Sequence, residues 1–105
     1  MSDILEFEWY DEDELCSRVT INRTTSEVSV VNYTDKIYKQ FLGKQDSTIE
    51  NVYDMLELRC FDRRRPDADE ILSCLGLINY DPLDICLKTN GRTTHDKYRI
   101  NWVKT

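Results

Sequence analysis

The sequence predicts an α+β fold: an antiparallel sheet of about four strands, in the order β-β-β-α-α-α-β, with helices packed on one face. Three observations carry this. Apolar and polar residues alternate in segments between Leu5 and Tyr33, a helical period replaces the alternation from residue 46, and alternation returns at Tyr98. A chain of 105 residues has room for one core, so a single α+β domain spanning 1–105 is expected. Apolar residues at 40% and charged residues at 32% suit a folded chain better than a disordered one.

Leu5, Phe7 and Trp9 alternate with Glu6 and Glu8, as in a strand with one face buried and one wet. A second alternating stretch runs from Leu15 to Arg23 through Ser17, Val19 and Ile21, and a third from Glu27 to Tyr33 through Val28 and Val30. Polar turns at Asp11 to Glu14 and Thr24 to Ser26 separate them, which predicts a meander. Residues 35–45 are ambiguous, with Ile37, Phe41 and Leu42 suited to docking a short helix. Ser47-Thr48-Ile49-Glu50 fits a capping box led by Ser47, and Ile49, Val52, Leu56 and Cys60 follow at helical spacing, giving a helix over about 48–60. Pro66 can open a second helix with the stripe Ala68, Ile71, Leu72 and Leu75, stopped by Gly76. Asp81-Pro82 caps and starts a third, which Asn90-Gly91 ends. Tyr98, Ile100 and Trp102 form the closing strand.

Charge is unevenly placed. Asp3, Glu6, Glu8, Asp11, Glu12, Asp13 and Glu14 all precede the first base, Arg18, whereas thirteen acids face fourteen bases in the remainder. The first strand and its turn therefore form the acidic feature, with Trp9 or Tyr10 as a candidate anchor for a protein partner. Such a surface would steer docking to a basic protein. Its plain alternative is a solubilising edge strand whose charges discourage sheet-to-sheet association. Arg59, Arg63, Arg64 and Arg65 form the opposite cluster. They could contact an anion or phosphate, or pair internally with the acidic segment or with Asp62, Asp67 and Asp69.

Enzyme signatures are missing. Only Gly43, Gly76 and Gly91 are glycines, too few for a phosphate loop, and neither G-x-S-x-G nor H-E-x-x-H occurs. The run Arg92-Thr93-Thr94-His95-Asp96 collects hydroxyls, an imidazole and a carboxylate, but adjacency in sequence does not make a triad, and a turn before the last strand is the simpler use. Cys16, Cys60, Cys74 and Cys86 contain no C-x-x-C pair, read as small buried hydrophobes, and offer no zinc pattern; no metal or cofactor is expected. The opening residues lack a secretory signal and no stretch could span a bilayer, so a cytoplasmic, non-membrane protein is expected. A sequence pI of 4.7 disfavours direct nucleic-acid binding.

Arg59-Cys60-Phe61, Arg63, Arg65, Leu75-Gly76-Leu77, Tyr80-Asp81-Pro82-Leu83, Lys88-Thr89, Gly91-Arg92, Asp96 and Ile100-x-Trp102 resemble, over roughly residues 49–103, a family of small proteins of Firmicute phages and integrative mobile elements. The segment is also distantly similar to the stretch preceding HipA-like kinase domains. Asp62 stands where the family places proline. The resemblance implies a mobile-element protein and brings no established activity. In that setting the expected function is a non-enzymatic inhibitor or modulator, of the anti-CRISPR kind, whose acidic segment meets a basic, nucleic-acid-processing or CRISPR effector protein. A nucleic-acid-binding module using the Arg59 to Arg65 cluster is the alternative, and an accessory recognition domain for a kinase partner is a third.

Overall fold

The computed structural model describes residues 3–93 and 96–105. Three strands, β1 (Ile4–Asp11), β2 (Glu14–Asn22) and β3 (Glu27–Asn32), precede a 3-10 turn at Ile37–Lys39. Helices α1 (Ile49–Glu57), α2 (Ala68–Cys74) and α3 (Pro82–Thr89) follow, and β4 (Tyr98–Lys104) closes the fold. The sheet is antiparallel in the order β3-β2-β1-β4. The α+β architecture expected from the patterning is therefore present. The acidic first strand, however, is an inner strand. β4 returns along its free side, pairing Trp9 with Ile100 and Phe7 with Trp102. The edges are β3 and β4, so the solubilising-edge reading of β1 is withdrawn.

The odd-numbered residues of β1, Leu5, Phe7 and Trp9, are buried as their alternation predicts, and join Val19, Ile21, Ile100, Val52, Leu56, Leu83 and Cys86 in one core. Phe41 is fully buried beneath the sheet, its ring edge-on to Phe7 and Trp9 with centroids 5.2 Å away in each case. Leu42 buries with it, whereas Ile37 stays exposed. Trp9 stacks on Tyr98 at 5.1 Å. The core cluster combines this face of the sheet with α1 and α3, while the buried residues of α2, Ala68 and Leu72, lie outside it.

The helix starts follow local chemistry. Thr48, not Ser47, caps α1 by accepting from the Asn51 amide, one residue later than the proposed box. Asp81 caps α3 by accepting from the Leu83 and Asp84 amides, with Pro82 in the first helical position. Asn90 ends α3 in the left-handed region and Gly91 follows at φ +63, where a Cβ would sit 2.8 Å from Ile100 Cδ1. Only glycine lets β4 pack so closely there. Between Trp9 and Tyr10 the β1–β2 register slips: Trp9 faces Ser17 while Tyr10 faces Leu15, leaving Cys16 as the extra residue of a bulge. Cys16 and Ser17 are both buried in consequence, and Leu15, expected inward, is only half-buried. Among the described residues no helix is long and apolar enough to cross a membrane.

Candidate functional site

The outer face of the sheet carries Glu6, Glu8 and Tyr10 as the alternation requires, but these side chains are engaged within the protein. The Glu8 side chain is only 13% exposed. It accepts from Arg18 at 2.9 Å, from Asn101 at 2.9 Å and from the Tyr10 hydroxyl at 3.4 Å. Hydrogen bonds from Arg18 first and then Asn101 hold the Glu8 carboxyl below its ordinary value, outweighing the desolvation that opposes them. Glu6 accepts from Thr20. Arg99 lies 4.2 Å above the Tyr10 ring and donates to the Glu12 carbonyl. Trp9 is 4% exposed and belongs to the core, which removes it as a surface anchor and leaves Tyr10.

Negative charge survives at the hairpin tip. Asp11 and Glu14 share Lys39, at 3.2 and 2.8 Å, and Glu12 pairs with Lys97 at 2.7 Å. The hydrogen bonds to Glu14 and Asp11 raise the affinity of Lys39 for its proton, so the ammonium is fixed. Two lysines thus offset two of four acids. Asp13 is exposed and, among the described residues, its carboxylate has no ion pair or hydrogen bond. Glu12 supports this geometry by adopting φ 54 at the turn.

The arginine cluster divides in two. Arg59, with a side chain only 9% exposed, grips Asp96 with both terminal nitrogens at 2.8 and 2.7 Å and donates to the carbonyls of Gly91 and Tyr98. Its guanidinium also lies 5.2 Å from the Trp9 ring centre. It braces α1 against β4 and is not available as a phosphate contact. Arg63, Arg64 and Arg65 are exposed, each paired locally, with Glu57, Asp62 and Asp67 respectively. The last two carboxyls are pulled below their ordinary values by the guanidinium hydrogen bonds they accept. Neither Asp69 nor the acidic N-terminal segment takes part in these pairs.

No family, curated protein or solved structure matches this chain. Beside Arg63 and Arg64 lies a pocket of about 440 Å³ lined also by Leu58, Cys60, Phe61 and Tyr80. Arg63 sits 4.6 Å from the Tyr80 ring centre, and the Tyr80 hydroxyl donates to the Phe61 carbonyl at 2.5 Å. Burial pushes the Tyr80 phenol up to about 12, so it remains a donor. Sequence reasoning did not bring Tyr80 or Cys60 to this wall, because their neighbourhood depends on how α1 meets α3. Nor did it single out Lys39, Lys97, Arg99 or Asn101 as partners of the acids. Of the hydroxyl, imidazole and carboxylate run, Thr94 and His95 lie outside the described residues, and Asp96 serves Arg59. The cysteines differ from the uniform burial expected: Cys16 and Cys86 are buried, Cys60 is half-buried and Cys74 is exposed.

Proposed function

We propose that this chain is a non-enzymatic protein-binding inhibitor or modulator from a phage or mobile element, which meets a basic surface of a nucleic-acid-handling protein with its β1–β2 hairpin tip. The observation that carries the reading is the excess of carboxylates at that tip, with Glu12, Asp13 and Glu14 exposed and Asp13 unpaired among the described residues. A two-residue turn joins two inner strands and presents this charge where Lys39 and Lys97 tie down its flanks, which lowers the ordering needed on binding. Tyr10, with Arg99 above its ring, lies next to the tip as the aromatic contact. The likeness to mobile-element proteins supports an anti-defence setting, of which an anti-CRISPR inhibitor is the specific form.

The test is to identify a partner by co-purification from the native host and then measure its affinity and salt dependence with the purified chain. Glu12→Gln with Asp13→Asn should slow association and flatten the salt dependence. Unchanged affinity and salt slope in that double variant would sink the proposal. A second reading, nucleic-acid contact through Arg63, Arg64 and Arg65, is favoured by their exposure and by the Phe61 and Tyr80 rings in the adjoining pocket. Filter binding of DNA and RNA at two salt concentrations separates the readings, because phosphate contacts weaken as salt rises.

A further inference from the structure

Cys60, one turn past α1, and Cys86, on α3, bring their sulfurs to 3.9 Å. Both are free thiols. A disulfide bond is about 2.05 Å long, so an approach of roughly 1.9 Å would join them. Their surroundings differ. Cys60 lines the pocket of about 440 Å³ beside Arg63 and Arg64, whereas Cys86 is fully buried behind it. The Leu56 carbonyl lies 3.2 Å from the Cys60 sulfur and 3.6 Å from the Cys86 sulfur, so both side chains sit against one spot of α1; with Cys60 donating to that carbonyl, the Cys86 proton is left for the contact between the sulfurs.

We propose that Cys60 and Cys86 form a reversible redox pair, in which Cys60 is the peroxide-reactive sulfur and Cys86 the resolving one. This inference is independent of what the hairpin tip binds. The Cys60 thiolate attacks the O–O bond of a hydroperoxide entering through the pocket. Its sulfur becomes a sulfenic acid and the alcohol, or water from hydrogen peroxide, departs after taking up a proton. Cys86 then attacks that sulfur, the S–O bond breaks, and the sulfenic hydroxyl leaves as water with the Cys86 proton. Two thiols lose two electrons to form one disulfide, and the hydroperoxide gains them.

The electrostatics fit these roles. A hydrogen bond from Cys86 draws the Cys60 thiol below its ordinary value, against burial and the carboxylates of Glu57 and Asp81. The same bond and burial push Cys86 up, so Cys86 is the protonated partner while Cys60 reacts. The disulfide would tie the end of α1 to α3 and close a loop that contains α2, the helix outside the main core. Oxidation would then restrain the pocket wall that carries Arg63 and Arg64.

The experiment uses the full chain carrying Cys74→Ser, which removes the exposed thiol that could link two copies. After treatment with hydrogen peroxide, the intact mass should fall by about 2 Da, peptide mapping should find Cys60 joined to Cys86, and dithiothreitol should reverse both changes. Adding Cys86→Ser should instead leave a sulfenic acid at Cys60 that dimedone captures. Adding Cys60→Ser should abolish rapid oxidation. Two thiols that still alkylate fully in denaturant after peroxide treatment, or oxidation that bypasses Cys60, would overturn the proposal. Should either serine variant fail to fold, mass and mapping on the Cys74→Ser chain decide alone.

Discussion

Replacing Arg59 by alanine tests whether this arginine is an internal brace. The substitution removes two charge-assisted hydrogen bonds to Asp96, the donors to the Gly91 and Tyr98 carbonyls, and the cation above Trp9. Breaking a buried pair from one side costs about 3–5 kcal/mol, because the remaining charge loses its partner. The Asp96 side chain is 34% exposed, so water recovers part of that loss and the lower end applies. The expected destabilisation is roughly 3 kcal/mol, a fall in melting temperature on the order of 10–20 °C for a domain of this size. Urea unfolding followed by tryptophan fluorescence and far-UV circular dichroism should show a lower midpoint with an unchanged slope. Arg59→Lys keeps the charge but not the planar fork and should fall between the two. Arg64→Ala, on the exposed side of the same cluster, should leave the midpoint where it is. If Arg59→Ala matches Arg64→Ala in stability, Arg59 is not a brace and the cluster would have to be reconsidered as one surface.

Ser17, which is buried, and Glu8, which is partly buried, each give a further outcome. Ser17→Ala removes the hydroxyl that donates to Asn32 Oδ1 at 2.7 Å and accepts from the Phe41 amide at 3.0 Å, so it should cost about 1–3 kcal/mol and speed hydrogen exchange at the Phe41 amide specifically. Glu8→Gln should flatten the acid limb of the stability profile. The folded-state pKa of Glu8 lies below its ordinary value of 4.5, so its contribution is present above that pH and fades as pH falls through the folded value; parallel wild-type and variant profiles below pH 4.5 would contradict this.

Alternation along single strands was enough to place Leu5, Phe7, Trp9, Val19, Ile21 and Ile100 in the core, because burial on one face imposes a period of two wherever the partners happen to lie. Helix starts were legible to within two residues, since caps act through neighbours: Asp81 caps as expected, Thr48 takes the place given to Ser47, and α2 begins at Ala68 with Asp67 before it instead of at Pro66. Strand order was not legible. Nothing local to Ile4–Asp11 says that the last strand returns along its open side, and that long-range pairing converts an expected edge into an inner strand. The same limit applies to Phe41, whose burial depends on a Ser17 hydroxyl 24 residues earlier that accepts from its amide.

The acidic feature changed most, and the cause is the bulge at Cys16. A two-residue turn at Glu12-Asp13, extended without interruption, would set Phe7 opposite Arg18 and drive a guanidinium into the core. The apolar patterns of β1 and β2 can face the same side only if one residue is inserted into the ladder, and that requirement was already present in the parity of Leu5, Phe7 and Trp9 against Val19 and Ile21. With Cys16 inserted, Phe7 meets Val19 and Glu8 meets Arg18. The slip that rescues the core therefore also brings Arg18 to Glu8 on the outer face, and β4 adds to the effect by setting Asn101 beside Glu8. The acids read as one surface are Glu6, Glu8 and Asp11 to Glu14, but the ladder answers Glu8 with Arg18 and leaves the excess at the turn. Charge on an inner strand is answered by both flanking strands, whereas charge at a hairpin tip has flanking neighbours on fewer sides. That difference is the physical reason for placing the proposed contact at Glu12 and Asp13 and not along β1.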